Sequence, residues 1–150
     1  MARAIQLSVE SVHSGRGGPF GAVIVRNGEI IAEGVNRVTS SNDPTAHAEV
    51  VAIRQACTKL GTFELKDCEL YTSCEPCPMC LGAIYWARLS RIYYGNTAAD
   101  AAAIGFDDSF IYSELQVIPT ERRVPAQQMM HEEALAAFRA WAEKPDKKPY

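Results

Sequence analysis

His47, Cys77 and Cys80 are the residues of this sequence best suited to hold one metal ion, and Glu49 is the carboxylate two positions after the histidine. Imidazole nitrogen and thiolate sulfur together suit zinc. Cys77 and Cys80 are three residues apart, which places both sulfurs on one face if the segment is helical. At a helix N-terminus the positive end of the dipole favours the thiolate, the form that binds metal. Three protein ligands leave a tetrahedral zinc one open position for water, whose pKa then falls to about 7. Glu49 could take a proton from that water and return protons to a substrate and its leaving group. On an ideal helix, however, it would point roughly 200° away from His47. Both residues can serve one ion only if the ion lies beyond the helix end.

Other readings compete. Cys77-Pro-Met-Cys80 could be a redox pair, and Cys74 could be a fourth ligand that closes the site into a structural one. His13 and His131 sit in helix-like patterns as ordinary surface or core residues. Cys57 falls on an apolar helix face, and Cys68 has no strong functional reading.

The elements that must position these groups follow from periodicity. Residues 2–14 read as a helix with Ile5, Val9 and Val12 on the face that packs. Gly15, Gly17, Gly18 and Pro19 end it. This glycine-rich turn lacks a Walker lysine and reads as a close approach to a pocket. Residues 21–26 and 29–35 are strand-like and flank Asn27-Gly28, the dipeptide of a type I′ hairpin. Residues 36–44 form a polar loop. Ala46 to Leu60 is a helix closed by Gly61, with Val50, Ile53, Cys57 and Leu60 on its apolar face. Strands are expected at 70–72 and 92–95, with a helix from Cys77 to Ala87 between them that allows Pro78 in its first turn. That order predicts parallel strands with a helical crossover. Beyond it come an Ala- and Asp-rich stretch, a short helix at Ser109–Leu115, a weak strand at Val117-Ile118, and a helix from Met129 to Glu143 bearing Leu135, Phe138 and Trp141.

The chain has 150 residues, 47% of them hydrophobic and 22% charged, which fits a single globular domain over 1–150. No apolar run reaches the roughly 18–20 residues that span a bilayer, and no secretory signal is evident, so a cytoplasmic location is expected. In that compartment the five cysteines read as ligands and buried thiols. A net charge of −3 argues against a nucleic-acid partner.

Four segments carry a resemblance to a known family: Gly17–Val25, Ser41–Glu49, Tyr71–Trp86 and Gly105–Tyr112. With them, the chain resembles the cytidine deaminase-like superfamily of zinc hydrolases and, more narrowly, the bacterial guanine deaminases of that fold, including the C-terminal tyrosine. The resemblance implies a three-layer α/β/α domain with a mixed five-stranded sheet and helices on both faces. It implies one zinc per chain and hydrolysis of guanine to xanthine and ammonia, with zinc-activated water attacking C2 and Glu49 shuttling protons. By matching position, Asn36, the Ala48 amide, Phe20 and Trp86 would bind the purine. Asp108 would read or protonate the guanine 2-amino side, and Tyr150 would close the site. In the family the C-terminal segment is exchanged between subunits, so a homodimer is implied and Tyr150 would serve a neighbour's pocket.

Read without the resemblance, Asp107 and Asp108 serve as a helix N-cap, Tyr150 is a frayed end, and Phe20 and Trp86 are core packing. A tRNA adenosine deaminase or a deaminase of another base is the alternative enzyme. A protein that zinc merely stabilises is the alternative of another class.

Overall fold

Asn27 and Gly28 both take positive φ, 53° and 81°, as a type I′ turn demands. They join β1 (Gly21–Arg26) to its antiparallel neighbour β2 (Glu29–Val35), the hairpin the sequence predicts. The computed structural model describes residues 1–149, in two compact units that divide between Asp108 and Ser109.

In the first unit β1 also pairs antiparallel with β3 (Cys68–Cys74), and β3 pairs parallel with β4 (Arg91–Asn96), giving the order β2-β1-β3-β4. The parallel pair is connected through the helix α4 (Pro78–Trp86), as the alternation of elements requires. The sheet is mixed and four-stranded. The fifth strand expected at Val117-Ile118 is absent, because those residues lie between the end of a helix and a 3-10 turn at Pro119–Glu121. Val117 N–H is spent on the Glu114 carbonyl, and Pro119 has no N–H to offer a neighbouring strand.

Side chains alternate across β1. Ala22 and Ile24 enter the main core with Leu70 of β3, Ile84 of α4 and Ala48, Ala52, Ile53 and Ala56 of the helix α3 (Ala48–Leu60). Full burial of Ile24 and Leu70 stabilises the fold by roughly 1.5–3 kcal/mol each. Gly21 and Val23 point to the other face, where the helix α1 (Ala2–Ser14) packs.

The packing face of α1 differs from the expected one. Ala4, Leu7 and Ser11 are buried, whereas Ile5, Val9 and Val12 are 46–52% exposed. The cause is close approach: a Cβ on Gly21 would stand 2.5 Å from the Ala4 carbonyl oxygen. A contact that tight needs glycine on the strand and seats the helix on its Ala4, Leu7 and Ser11 face, so the other aliphatic stripe turns outward. Arg3 anchors the helix to β2 through a bidentate pair with Glu33 at 2.7 Å.

The loop at 36–44 contains one helical turn, α2 (Val38–Ser41). The Ala- and Asp-rich stretch forms α5 (Ala98–Ala103), started by a capping box between Thr97 and Asp100. The second unit holds α6 (Ser109–Gln116) and α7 (His131–Glu143), the helices the sequence predicts there. None of its described residues is buried, and Phe138 is 74% exposed.

Candidate metal centre and active site

Two helix N-termini converge near the C-terminal end of β3. His47 precedes α3 with extended backbone, φ −68° and ψ 154°, and Glu49 lies in the helix's first turn. The offset expected for two residues on one helix therefore does not apply, since only one of the pair is helical. Cys77 precedes α4 in the same way, φ −65° and ψ 168°, with Pro78 opening the helix and Cys80 in its first turn. His47 Nδ1 stands 3.5 Å from the sulfurs of both Cys77 and Cys80, and the ligand atoms all lie within 4.8 Å of one another.

That spacing fits zinc. Bonds of ~2.3 Å to sulfur and ~2.0–2.1 Å to nitrogen at tetrahedral angles put N and S about 3.6 Å apart. Two thiolates also balance the charge of one divalent ion. Cys74, the candidate fourth ligand, is turned away: its thiol donates to the Thr97 carbonyl at 3.6 Å, and burial raises its pKa to about 11. The donor set is thus of the three-ligand kind that leaves a coordination position for water.

The two thiols titrate as a pair. Cys77 falls to about 4, with Cys80 as hydrogen-bond donor the largest cause and His47 next in effect after burial. Cys80 is shifted upward by Cys77, by burial and by the neighbouring Glu49. His47 is raised, chiefly by its contact with Cys77. A bound divalent ion removes the thiol protons outright.

Glu49 is 5% exposed, and burial pushes its carboxyl upward. Its Oε1 accepts from the Thr72 hydroxyl at 2.9 Å and its Oε2 from the Cys80 thiol at 3.4 Å. The carboxylate is held on both oxygens beside the cysteine pair. Thr72 is a site residue that motif reading misses. Its position follows from strand alternation, because residues 70 and 72 of β3 face α3 together.

Asn36 is buried, and its Oδ1 accepts from the backbone N–H groups of Gly18 and Val38 at 3.3 and 3.2 Å. Its amide nitrogen makes no hydrogen bond among the described residues. Gly17 permits this approach, since a Cβ there would lie 2.1 Å from the Asn36 carbonyl oxygen. Ala48 opens α3, so its N–H is among those that helix geometry leaves without an intrahelical acceptor.

Phe20 meets Phe106 edge to face at 4.9 Å. Phe106 is the second residue that motif reading leaves without a role. Asp108 is raised mainly by burial and then by the charge of Cys77, and it in turn raises His47. It therefore stands within electrostatic reach of the metal ligands. Trp86 is 62% exposed at the end of α4, roughly 12 Å along the axis from Pro78. Tyr150 lies outside the described residues.

An open three-ligand set beside a buried carboxylate, on a mixed sheet layered by helices, defines a zinc-dependent hydrolase. Residues 1–96 match the cytidine and deoxycytidylate deaminase zinc-binding region. The chain belongs to that deaminase family. It is 59% identical to the guanine deaminase of Bacillus subtilis (strain 168) over 150 residues, 100% of this chain and 96% of that protein. The crystal structure of guanine deaminase from Bacillus subtilis superposes with a TM-score of 0.97 over 99% of this chain and 95% of that one, at 59% identity. The tRNA-specific adenosine deaminase of Agrobacterium fabrum (strain C58) is 51% identical over 86 residues, which is 57% of each protein.

Proposed function

We propose that this chain hydrolyses guanine to xanthine and ammonia. Hydrolytic deamination is carried by one observation: the Glu49 carboxylate is fixed by Thr72 beside ligand atoms spaced for an open zinc. Guanine as the base is supported by 59% identity to a guanine deaminase along the whole chain, where the likeness to a tRNA deaminase covers 57% of it.

His47, Cys77 and Cys80 hold the zinc. When bound, it supplies Lewis acidity and makes water a competent nucleophile near neutral pH. Glu49 takes the proton of the attacking water, passes it to the ring, and protonates the departing amine, so that a C2–O bond replaces the C2–N bond. The upward shift of its carboxyl suits that traffic, because it makes the group a better proton acceptor than an ordinary carboxylate while leaving it able to return the proton. Thr72 keeps Oε1 pointed so that the other oxygen works.

Asn36, with its oxygen committed to two backbone amides, offers its amide nitrogen to a purine acceptor. The Ala48 N–H gives a second fixed donor. Phe20 stacks on the base, and Phe106 braces it from the edge. Asp108 accepts from the N–H and 2-amino donors of guanine, a pattern that cytosine and adenine do not present.

Residues 1–150 form one deaminase domain that works as a homodimer, with the C-terminal segment exchanged so that Tyr150 closes the neighbour's site. The support is the apolar surface left uncovered in each unit: Tyr85 and Trp86 in the first, Phe138 and Val124 in the second. No helix among the described residues is long and apolar enough to cross a membrane. The cysteines form no disulfide, and two of them must stay reduced to bind zinc, which supports a cytoplasmic enzyme of purine catabolism.

The test is ammonia release from guanine, adenine, cytosine and a tRNA anticodon stem-loop by the zinc-loaded protein. Guanine should exceed the others by at least 100-fold in kcat/KM. Faster release from the stem-loop would replace the guanine reading, and zinc without ammonia from any of them would replace catalysis with a structural role for the metal.

A further inference from the structure

A cavity of about 280 Å³ opens between α1, β2 and α3, and no metal ligand lines it. Its wall carries Arg16 and Arg37 from the loops after α1 and β2. Neither guanidinium pairs with a carboxylate among the described residues. The two acids of the same wall, Glu10 and Glu33, are both engaged by Arg3, at 3.4 and 2.7 Å. The uncommitted charge facing the cavity is therefore positive.

We propose that this cavity binds a small phosphate monoester, with its dianionic phosphate on Arg16 and Arg37. Guanidinium groups match phosphate oxygens with paired hydrogen bonds, and two uncommitted cations suit one dianion. Gln55 and the Arg3-bound carboxylates supply polar partners for the hydroxyls of the ester. The volume lies just below the roughly 300–1,000 Å³ of most small-molecule sites. It admits a sugar phosphate and excludes a dinucleotide. Arg16 precedes Gly17 and Arg37 follows Asn36, so the ligand would bridge two loops that the Asn36 side chain already joins.

Calorimetric titration of the zinc-loaded chain with ribose 5-phosphate, inorganic phosphate and ribose tests this. Ribose 5-phosphate should bind one per chain with a Kd below 1 mM, at least tenfold tighter than inorganic phosphate, and ribose should not bind. The double variant Arg16→Gln/Arg37→Gln should weaken the ester at least tenfold with zinc content and Tm unchanged, since both side chains are exposed. Absence of saturable binding by the ester, equal binding by the double variant, or binding of ribose as tight as its phosphate would each overturn the proposal.

Discussion

The Thr72 hydroxyl donates to Glu49 Oε1 at 2.9 Å, and both side chains are sealed from solvent, at 0% and 5% exposure. Zinc ligation does not require this bond. It fixes which oxygen of the carboxylate is left for proton transfer. Thr72→Val keeps the shape and removes the donor, leaving a buried acceptor short of a partner at a cost of roughly 1–3 kcal/mol. If that cost is felt mainly in the transition state, kcat falls about 5- to 150-fold with little change in KM. Thr72→Ser should recover most of the loss, and steady-state kinetics on the two variants at equal zinc content separates positioning from simple packing.

Burial raises the Glu49 carboxyl above its ordinary 4.5. For an acid raised in the folded state, stability is complete below the unfolded value and is lost as pH rises through the folded one. The zinc-stripped protein should therefore lose stability from about pH 4.5 upward through this group. Other titrating residues share that range, so the comparison is with zinc-stripped Glu49→Gln, which cannot ionise there. Its Tm should exceed that of the stripped wild type at pH 7.5 and the difference should shrink at pH 5, as thermal melts across pH would show.

Metal binding and folding are linked because the three ligands come from two helix starts that the ion would tie together. Chelation should lower Tm, and Cys80→Ser should lose most of its zinc and show no further Tm drop on chelation. Metal analysis and melts of the two proteins side by side provide the check.

Asp108→Asn removes the anionic acceptor assigned to the guanine amino side. Loss of a charge-assisted hydrogen bond of about 1.5–3 kcal/mol corresponds to a fall of about 10- to 150-fold in kcat/KM for guanine. Zinc content should not change, because Asp108 contributes no atom to the ligand cluster. If kcat/KM is unaffected, Asp108 does not read the base.

The chemistry was more legible in the sequence than the packing. His47, Cys77 and Cys80 stand out because zinc accepts few side-chain types and their spacing is short-range. The hairpin was equally readable, since Asn27-Gly28 encodes its own φ values. The packing face of α1 was not. Hydrophobicity favours Ile5, Val9 and Val12, but the close contact at Gly21 is with Ala4, Leu7 and Ser8, and that contact joins residues far apart in the chain. The expected strand at Val117-Ile118 failed because β-branched residues describe a preference that Pro119 and the preceding helix override. Thr72 was hidden for a related reason: one threonine in a strand carries no signal until the register of β3 shows which helix it faces.

If Glu49 moves protons at a zinc centre that hydrolyses guanine, removing its charge must slow turnover without releasing the metal. Ammonia release from guanine by Glu49→Gln, measured on protein shown to carry one zinc per chain, tests it most directly. Turnover should fall by about 10²–10⁴-fold with zinc retained. Near-normal turnover at full zinc occupancy would contradict it.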